Sequence, residues 1–279
     1  MPLYGRRGAD QPRRMISSAL LDVVRDLASA RAAPGRTPLI GISGPQGSGK
    51  TTLARAAAQR LSGAAFSLDD VYLTRAERSN LARLAHPLFT VRGPPGTHDL
   101  DLAERTVAAL RAAGPETRTP LPAFDKLADD RLPTSAWPIF HGKPGVILID
   151  GWCLGATRQS PEALARPVNA LEREEDQNAV WRNAADAALA GPYQAFFRGF
   201  DAMIVLTPPS FEVVLDWRCE QEAGLLGIAP DALPPARRNE LGRFIQHFER
   251  ISRHMLDDGV KADVIVRLDK DRNMVRIET

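Results

Sequence analysis

The chain has almost no cysteine: two in 279 residues, Cys153 and Cys219, far apart and without the spacing that gathers thiols around a metal. That excludes a disulfide framework and a zinc site, and it fits a reducing compartment. Long apolar runs are missing too. Stretches such as Val146 to Ile149 and Met203 to Leu206 fall far short of the roughly 20 residues a membrane span requires. Nor is there an excess of one charge. The net charge of +2 comes from 36 basic and 34 acidic residues that are interspersed, which argues against nucleic acid as a partner. The one local excess, Arg6, Arg7, Arg13 and Arg14, lacks the apolar core of a secretory signal and reads as a flexible basic tail over residues 1–15. A cytoplasmic protein is expected. With 44% hydrophobic content, residues 16–279 can bury one large α/β core as a single domain.

What is present begins with Gly44-Pro45-Gln46-Gly47-Ser48-Gly49-Lys50-Thr51, which matches the phosphate-loop pattern G-x-x-x-x-G-K-[ST] at every fixed position. It follows an apolar run, Leu39 to Ile42, and opens a helix expected from Lys50, through Thr51 and Thr52, to about Leu61 on good formers such as Ala54 to Ala58. The glycines let backbone N–H groups turn inward around phosphate oxygens at the start of a helix. Lys50 then reaches the β- and γ-phosphates, and Thr51 offers a hydroxyl to Mg²⁺, so ATP and Mg²⁺ are the expected cofactors.

Further apolar runs alternate with helical spacing. Ile16, Leu20, Val23, Val24 and Leu27 mark a first helix, and Ala64 to Leu68 a strand tipped by Asp69 and Asp70. Val146 to Ile149 is a buried parallel strand ending in Asp150, the Walker B arrangement that places a carboxylate opposite Thr51 for the metal. Met203 to Leu206 and Asp263 to Leu268 supply two more strands. The expected fold is a three-layer, doubly wound, mainly parallel α/β sheet. Phe211 to Glu222 reads as a helix leading to a Gly- and Pro-rich flap, a helical lid around 222–237, before a long helix from Arg238 to about Leu256. Prolines make the segment from Pro120 to Arg131 an irregular, charged loop. The acidic run Glu172, Glu174, Glu175 and Asp176 reads as a solvated face.

Phosphoryl transfer needs a base beside the γ-phosphate, and Asp69 is the candidate to accept a substrate hydroxyl proton. Asp70 serves metal or substrate binding, or only caps the next segment. Several motifs occur together and in order: Ser67 to Thr74, Gly96-Thr97-His98-Asp99, Phe124-Asp125-Lys126 with Asp130-Arg131, Asp150-Gly151-Trp152, and Trp217-Arg218 with Gln221-Glu222. Together they resemble the D-glycerate 3-kinase family of P-loop small-molecule kinases, related to uridine kinase, phosphoribulokinase and pantothenate kinase. The resemblance covers about residues 37 to 270. It implies ATP-dependent phosphorylation of the 3-hydroxyl of D-glycerate to give 3-phosphoglycerate. A small hydroxy acid is the partner implied.

The same resemblance implies that Asp69 is the base and that Asp70, Tyr72, His98, Asp99, Asp125, Lys126 and Arg131 face the acceptor. Lys126 and Arg131 would meet a carboxylate, and Arg218 would neutralise charge on the phosphoryl group. Asp150 stands where that family usually has Glu. Each residue also has an ordinary reading. Lys126 and Arg131 could pair with Asp125 and Asp130, Arg218 with Glu222 at i, i+4, and His98 could be structural. Another alcohol, pantothenate- or uridine-like, is the alternative acceptor. A GTP-dependent accessory protein would need N/T-K-x-D after a strand, and Val260-Lys261-Ala262-Asp263 lacks the Asn and precedes one.

Overall fold

The computed structural model describes residues 17–279; the expected basic tail lies outside them. The chain runs through α1 (Ser18–Ala30), β1 (Leu39–Ser43), α2 (Lys50–Arg60), β2 (Ala64–Ser67), α3 (Arg75–Leu84) and α4 (Leu100–Ala112). Four short strands follow, β3 (Arg118–Pro120), β4 (Phe124–Asp125), β5 (Asp130–Arg131) and β6 (Ile139–His141), and then β7 (Ile147–Gly151). Next come α5 (Pro161–Ala165), α6 (Ala170–Glu175), α7 (Val180–Ala188), a π turn at Leu189–Tyr193 and α8 (Gln194–Phe197). The last elements are β8 (Ala202–Thr207), α9 (Val213–Leu226), α10 (Pro235–Leu256), β9 (Val264–Leu268) and β10 (Met274–Glu278).

Six strands form one sheet in the order β10-β9-β8-β1-β7-β2, parallel except where β10 turns back on β9. Every residue of β1, β7 and β8 is buried, because parallel strands are covered on both faces and so read as unbroken apolar runs. Their side chains still divide with period two. Ile40, Ile42, Leu148, Ile204 and Leu206 pack with Val24 of α1, Leu53 of α2 and Trp217 of α9. Leu39, Ile147, Ile149, Met203 and Val205 pack with Leu110 of α4, Phe196 of α8 and Phe248 of α10. The three layers are those the sequence predicts. β1 lies between β7 and β8, so connections leave it in both directions and open a crevice at its carboxyl end, where open α/β sheets bind ligands.

Several local expectations are corrected. Asp69 and Asp70 sit on one 3₁₀ turn, Leu68–Val71, not on the strand, because Ser67 and Asp70 form a reciprocal capping box that ends β2. The expected irregular loop closes into two small antiparallel pairs, β3 with β6 and β4 with β5. Helix α9 continues through Gly224 and stops at Gly227, whose φ of +69° suits glycine, with Ile228 N–H bonded to the Ala223 carbonyl. An interior glycine costs a helix only about 1 kcal/mol. The segment read as a flap is therefore the end of α9, a short connector and the first turn of α10. The acidic run is only half solvated: Glu172 and Asp176 are buried, each on an arginine. Among the described residues no helix is long and apolar enough to cross a membrane.

Candidate nucleotide and acceptor site

The phosphate loop leaves the carboxyl end of β1 and enters α2. Gly47 has φ +77°, and a side chain there would begin 2.6 Å from Trp217 Cβ. Gly49 takes φ +90° as the residue before α2 and carries no side chain to cap it, so the first N–H groups of the helix are left for an anion. Three buried side-chain oxygens of this segment, Ser43 Oγ, Gln46 Oε1 and Ser48 Oγ, have no hydrogen-bond partner. Buried polar atoms are rarely left so, and all three belong to the segment from the end of β1 through the phosphate loop, which fits a polar ligand held there. Lys50 Nζ rests 3.3 Å from the Pro45 carbonyl. Burial lowers its pKa, while Asp150 and Asp69 pull it back up. Thr52 follows on the exposed side of α2.

Register brings the metal candidates together. Ile42 of β1, Asp150 of β7 and Ser67 of β2 form one row across the sheet. Thr51 Oγ1 donates to Asp150 Oδ2 at 2.8 Å, and Ser67 Oγ lies 3.2 Å from the same oxygen. Asp150 is buried, which raises its pKa; Lys50 and the hydrogen bond from Thr51 oppose the rise.

Asp69 stands beside this row. Its Oδ1 accepts the Tyr72 hydroxyl at 2.7 Å and its Oδ2 meets Lys126 Nζ at 2.7 Å. Burial alone would raise its pKa, but the Lys126 and Lys50 ammonium groups outweigh it and hold the carboxyl well below the usual range. Asp70 turns away to accept the Ser67 N–H at 2.8 Å, and burial pushes it up to about 6. Tyr72 packs its ring on His98 and edge-on against Phe124. His98 is buried, bonded through Nδ1 to the Tyr193 hydroxyl, with Nε2 unpartnered; burial lowers it to about 3, so it is neutral. Asp99 caps α4 through the Leu102 N–H and pairs with Arg131 at 3.1 Å, and Arg131 also donates to the Tyr72 carbonyl. Asp125 is spent on its own turn, accepting the N–H groups of Leu127 and Ala128. Arg218 pairs with Glu222 at 2.8 Å, and Arg237 of α10 shares that carboxylate.

Comparison with known proteins shows the family to which the chain belongs. No family model matches the chain. It is 33% identical over 204 residues to uncharacterized kinase mug58 of Schizosaccharomyces pombe, a match spanning 68% of this chain and 72% of that protein. It is 31% identical over 199 residues to the chloroplastic D-glycerate 3-kinase of Arabidopsis thaliana, spanning 67% of this chain and 41% of that protein. The chain belongs to the D-glycerate 3-kinase family. A solved D-glycerate 3-kinase from Cryptococcus neoformans superposes with a TM-score of 0.73 at 22% identity, covering 94% of this chain and 99% of that one, a likeness of fold. As a member of the D-glycerate 3-kinase family the chain is a nucleotide-using phosphotransferase with an alcohol acceptor.

Sequence reasoning missed the arginines that brace the β4–β5 hairpin beside Asp69. Arg78, 1% exposed, bonds the carbonyls of Leu73 and Thr90 and pairs with Asp129 at 2.6 Å, tying the β4–β5 hairpin to the segment after Asp69. Arg92 also pairs with Asp129 and donates to the Lys126 carbonyl, with its guanidinium over Phe124. Tyr193 reaches the site from the π turn, 95 residues beyond His98. Nothing in the local sequence around these residues marks them, since each earns its place through a distant partner.

Proposed function

We propose that this protein transfers the γ-phosphoryl group of ATP to the 3-hydroxyl of D-glycerate, giving 3-phosphoglycerate. The observation that carries the reading is Asp69, an ionised carboxylate held between Lys126 and the phosphate-loop Lys50. Lys50 and the N-terminus of α2 bind the transferring phosphates, and Asp69 accepts the proton of the attacking hydroxyl. Its two bonds already orient it. Lys126 is half exposed on a hairpin tip, so it can leave Asp69 for the acceptor's carboxylate when the hydroxyl takes its place. Arg131 and Asp99 brace Tyr72 and the wall behind Asp69.

Thr51 and Asp150 fit a magnesium ion, since Mg²⁺ uses one or two protein oxygens and completes its shell with phosphates and water. Among the described residues no group of three or more His, Cys, Asp or Glu forms an all-protein metal site. Mg²⁺, when bound, supplies neutralisation of charge on the phosphate oxygens. Arg218 Nη2 is held by Glu222 while its buried Nη1 has no hydrogen-bond partner, and neutralising charge on the phosphoryl group is the role assigned to this guanidinium.

The GTP-dependent reading gains no support. Asp263 pairs with Arg31 at 2.7 Å and accepts the Met203 N–H at 2.8 Å, so it is occupied by the fold. The deciding experiment is an acceptor screen with ATP and Mg²⁺ over D-glycerate, L-glycerate, pantothenate and uridine. Phosphorylation of D-glycerate at the 3-hydroxyl with the highest kcat/KM is the expected result. Turnover of another alcohol with D-glycerate inert would overturn the acceptor assignment and leave the kinase.

A further inference from the structure

The turn between β9 and β10 carries Arg272 at φ +63°, a left-handed position where Gly, Asn or Asp is the usual choice. Asp269 holds the turn in that shape by accepting the N–H groups of Asp271 and Asn273. An arginine there needs a reason beyond the turn. Its side chain supplies one: Nε donates to the Gly47 carbonyl at 2.6 Å, across 225 residues of chain. The guanidinium lies over the Trp217 ring at 4.9 Å and pairs through Nη1 with Glu220 at 2.7 Å. Trp217 in turn donates to the Lys270 carbonyl at 2.7 Å, so turn and helix hold each other.

Gly47 is the turning point of the phosphate loop. Its left-handed backbone is backed by Trp217 on one side, and its carbonyl is drawn outward by Arg272 on another. A carbonyl fixed outward leaves the loop's N–H groups free to converge on an anion. A charged donor holds it more firmly than a neutral one would.

We infer that Arg272 is a positioning residue of the donor site, holding the phosphate loop in its binding curve through the Gly47 carbonyl and so making the C-terminal hairpin part of the nucleotide-binding machinery. The inference rests on the kinase reading of that loop. The rival role is a staple that fastens the hairpin to α9 and affects stability alone.

Two substitutions separate the roles. Arg272→Met keeps an aliphatic stem on Trp217 but loses the bond to Gly47. Glu220→Gln weakens the staple and leaves that bond in place. ATP affinity is measured by titration calorimetry without acceptor, thermal midpoints are recorded, and turnover kinetics follow. Arg272→Met is expected to weaken ATP binding and raise KM for ATP about tenfold, with kcat and the acceptor KM within about twofold of wild type. Glu220→Gln lowers the midpoint but keeps ATP affinity within about twofold. Arg272→Lys, with one compact donor in place of a fork, falls between. Wild-type ATP affinity in Arg272→Met overturns the inference, as does wild-type affinity in Arg272→Lys where the Met variant does not fold. Because binding is read without acceptor, a wild-type protein that binds ATP and ignores D-glycerate defeats the acceptor assignment and leaves this inference standing.

Discussion

Lys126 Nζ sits 2.7 Å from Asp69 Oδ2, so the carboxylate that faces the donor site is bound by a cation from a hairpin 57 residues further along the chain. With Asp69 as the proposed base, the pair is expected to set the acid limb of activity. Removing Lys126 as Met leaves the burial that raises the Asp69 pKa and deletes the largest influence that lowers it. The pKa of Asp69 therefore rises, and the acid limb of kcat/KM moves to higher pH in Lys126→Met than in wild type. The acceptor KM rises as well, by about tenfold if the ammonium meets a carboxylate. Asp69→Asn keeps both neighbours but accepts no proton, and a loss of about 10²–10⁴ in kcat with little change in ATP affinity is expected. Near-wild-type turnover in Asp69→Asn would remove it from the base role.

Thr51 and Asp150 predict the metal response. Their 2.8 Å contact places a hydroxyl and a carboxylate side by side at the carboxyl edge of the sheet. Thr51→Val and Asp150→Asn are each expected to raise the Mg²⁺ concentration for half-maximal activity about 10–100-fold, and Thr51→Ser to raise it little. Chelation should abolish turnover reversibly. An unchanged magnesium titration in both variants would place the ion elsewhere.

The contrast between these two sites shows what the sequence made legible. Gly44 to Thr51 is local: its spacing and the strand before it are written in adjacent residues, so the loop, α2 and the buried run of β7 were read correctly. Asp69 was readable as a motif, but its grip by Lys126 depends on β4 and β5 pairing Phe124 with Arg131. That short hairpin is held by Arg78 and Arg92 on Asp129, contacts with no local signal. The 3₁₀ turn under Asp69 was signalled by Ser67 and Asp70 three residues apart, and the apolar run masked it. Periodicity and turn chemistry record local structure, while ion pairs record tertiary proximity.

His98 predicts a pH-dependent stability. Its folded pKa of about 3 lies below the ordinary value of 6.5 because burial penalises the charged ring. Below pH 6.5 the unfolded chain takes up a proton that the folded one refuses, so the stability tied to this group is present above pH 6.5 and lost as pH falls toward 3. Asp70 has the opposite sign. Raised to about 6, it contributes stability at low pH that is lost as pH climbs from 3.8 to 6, and it flattens the wild-type curve. The difference between wild type and His98→Gln isolates the histidine. Between pH 6 and pH 4 wild type should lose roughly 2–3 kcal/mol relative to the variant. Urea midpoints at the two pH values measure it, and parallel curves would show that His98 does not titrate as a buried neutral ring.

Glu172 shows what a charge run conceals and gives the sharpest stability test. Both its oxygens accept from Arg250, Oε1 from Nε at 2.7 Å and Oε2 from Nη2 at 2.6 Å, and Oε2 also accepts the Val168 N–H. Arg250 adds a bond to the Ala163 carbonyl at 3.0 Å, so α10 is tied to the ends of α5 and α6. Burying two charges gains little over a well-packed apolar pair, but leaving one of them alone is costly. Arg250→Leu should therefore cost about 3–5 kcal/mol, and Arg250→Lys should recover little because an ammonium cannot fork onto both oxygens. The double variant Glu172→Met with Arg250→Met removes both charges and should regain most of the loss. ATP affinity should stay near wild type in the double variant, since neither residue touches the phosphate loop. A double variant as unstable as Arg250→Leu would mean that the pair contributes directed bonding beyond mutual neutralisation.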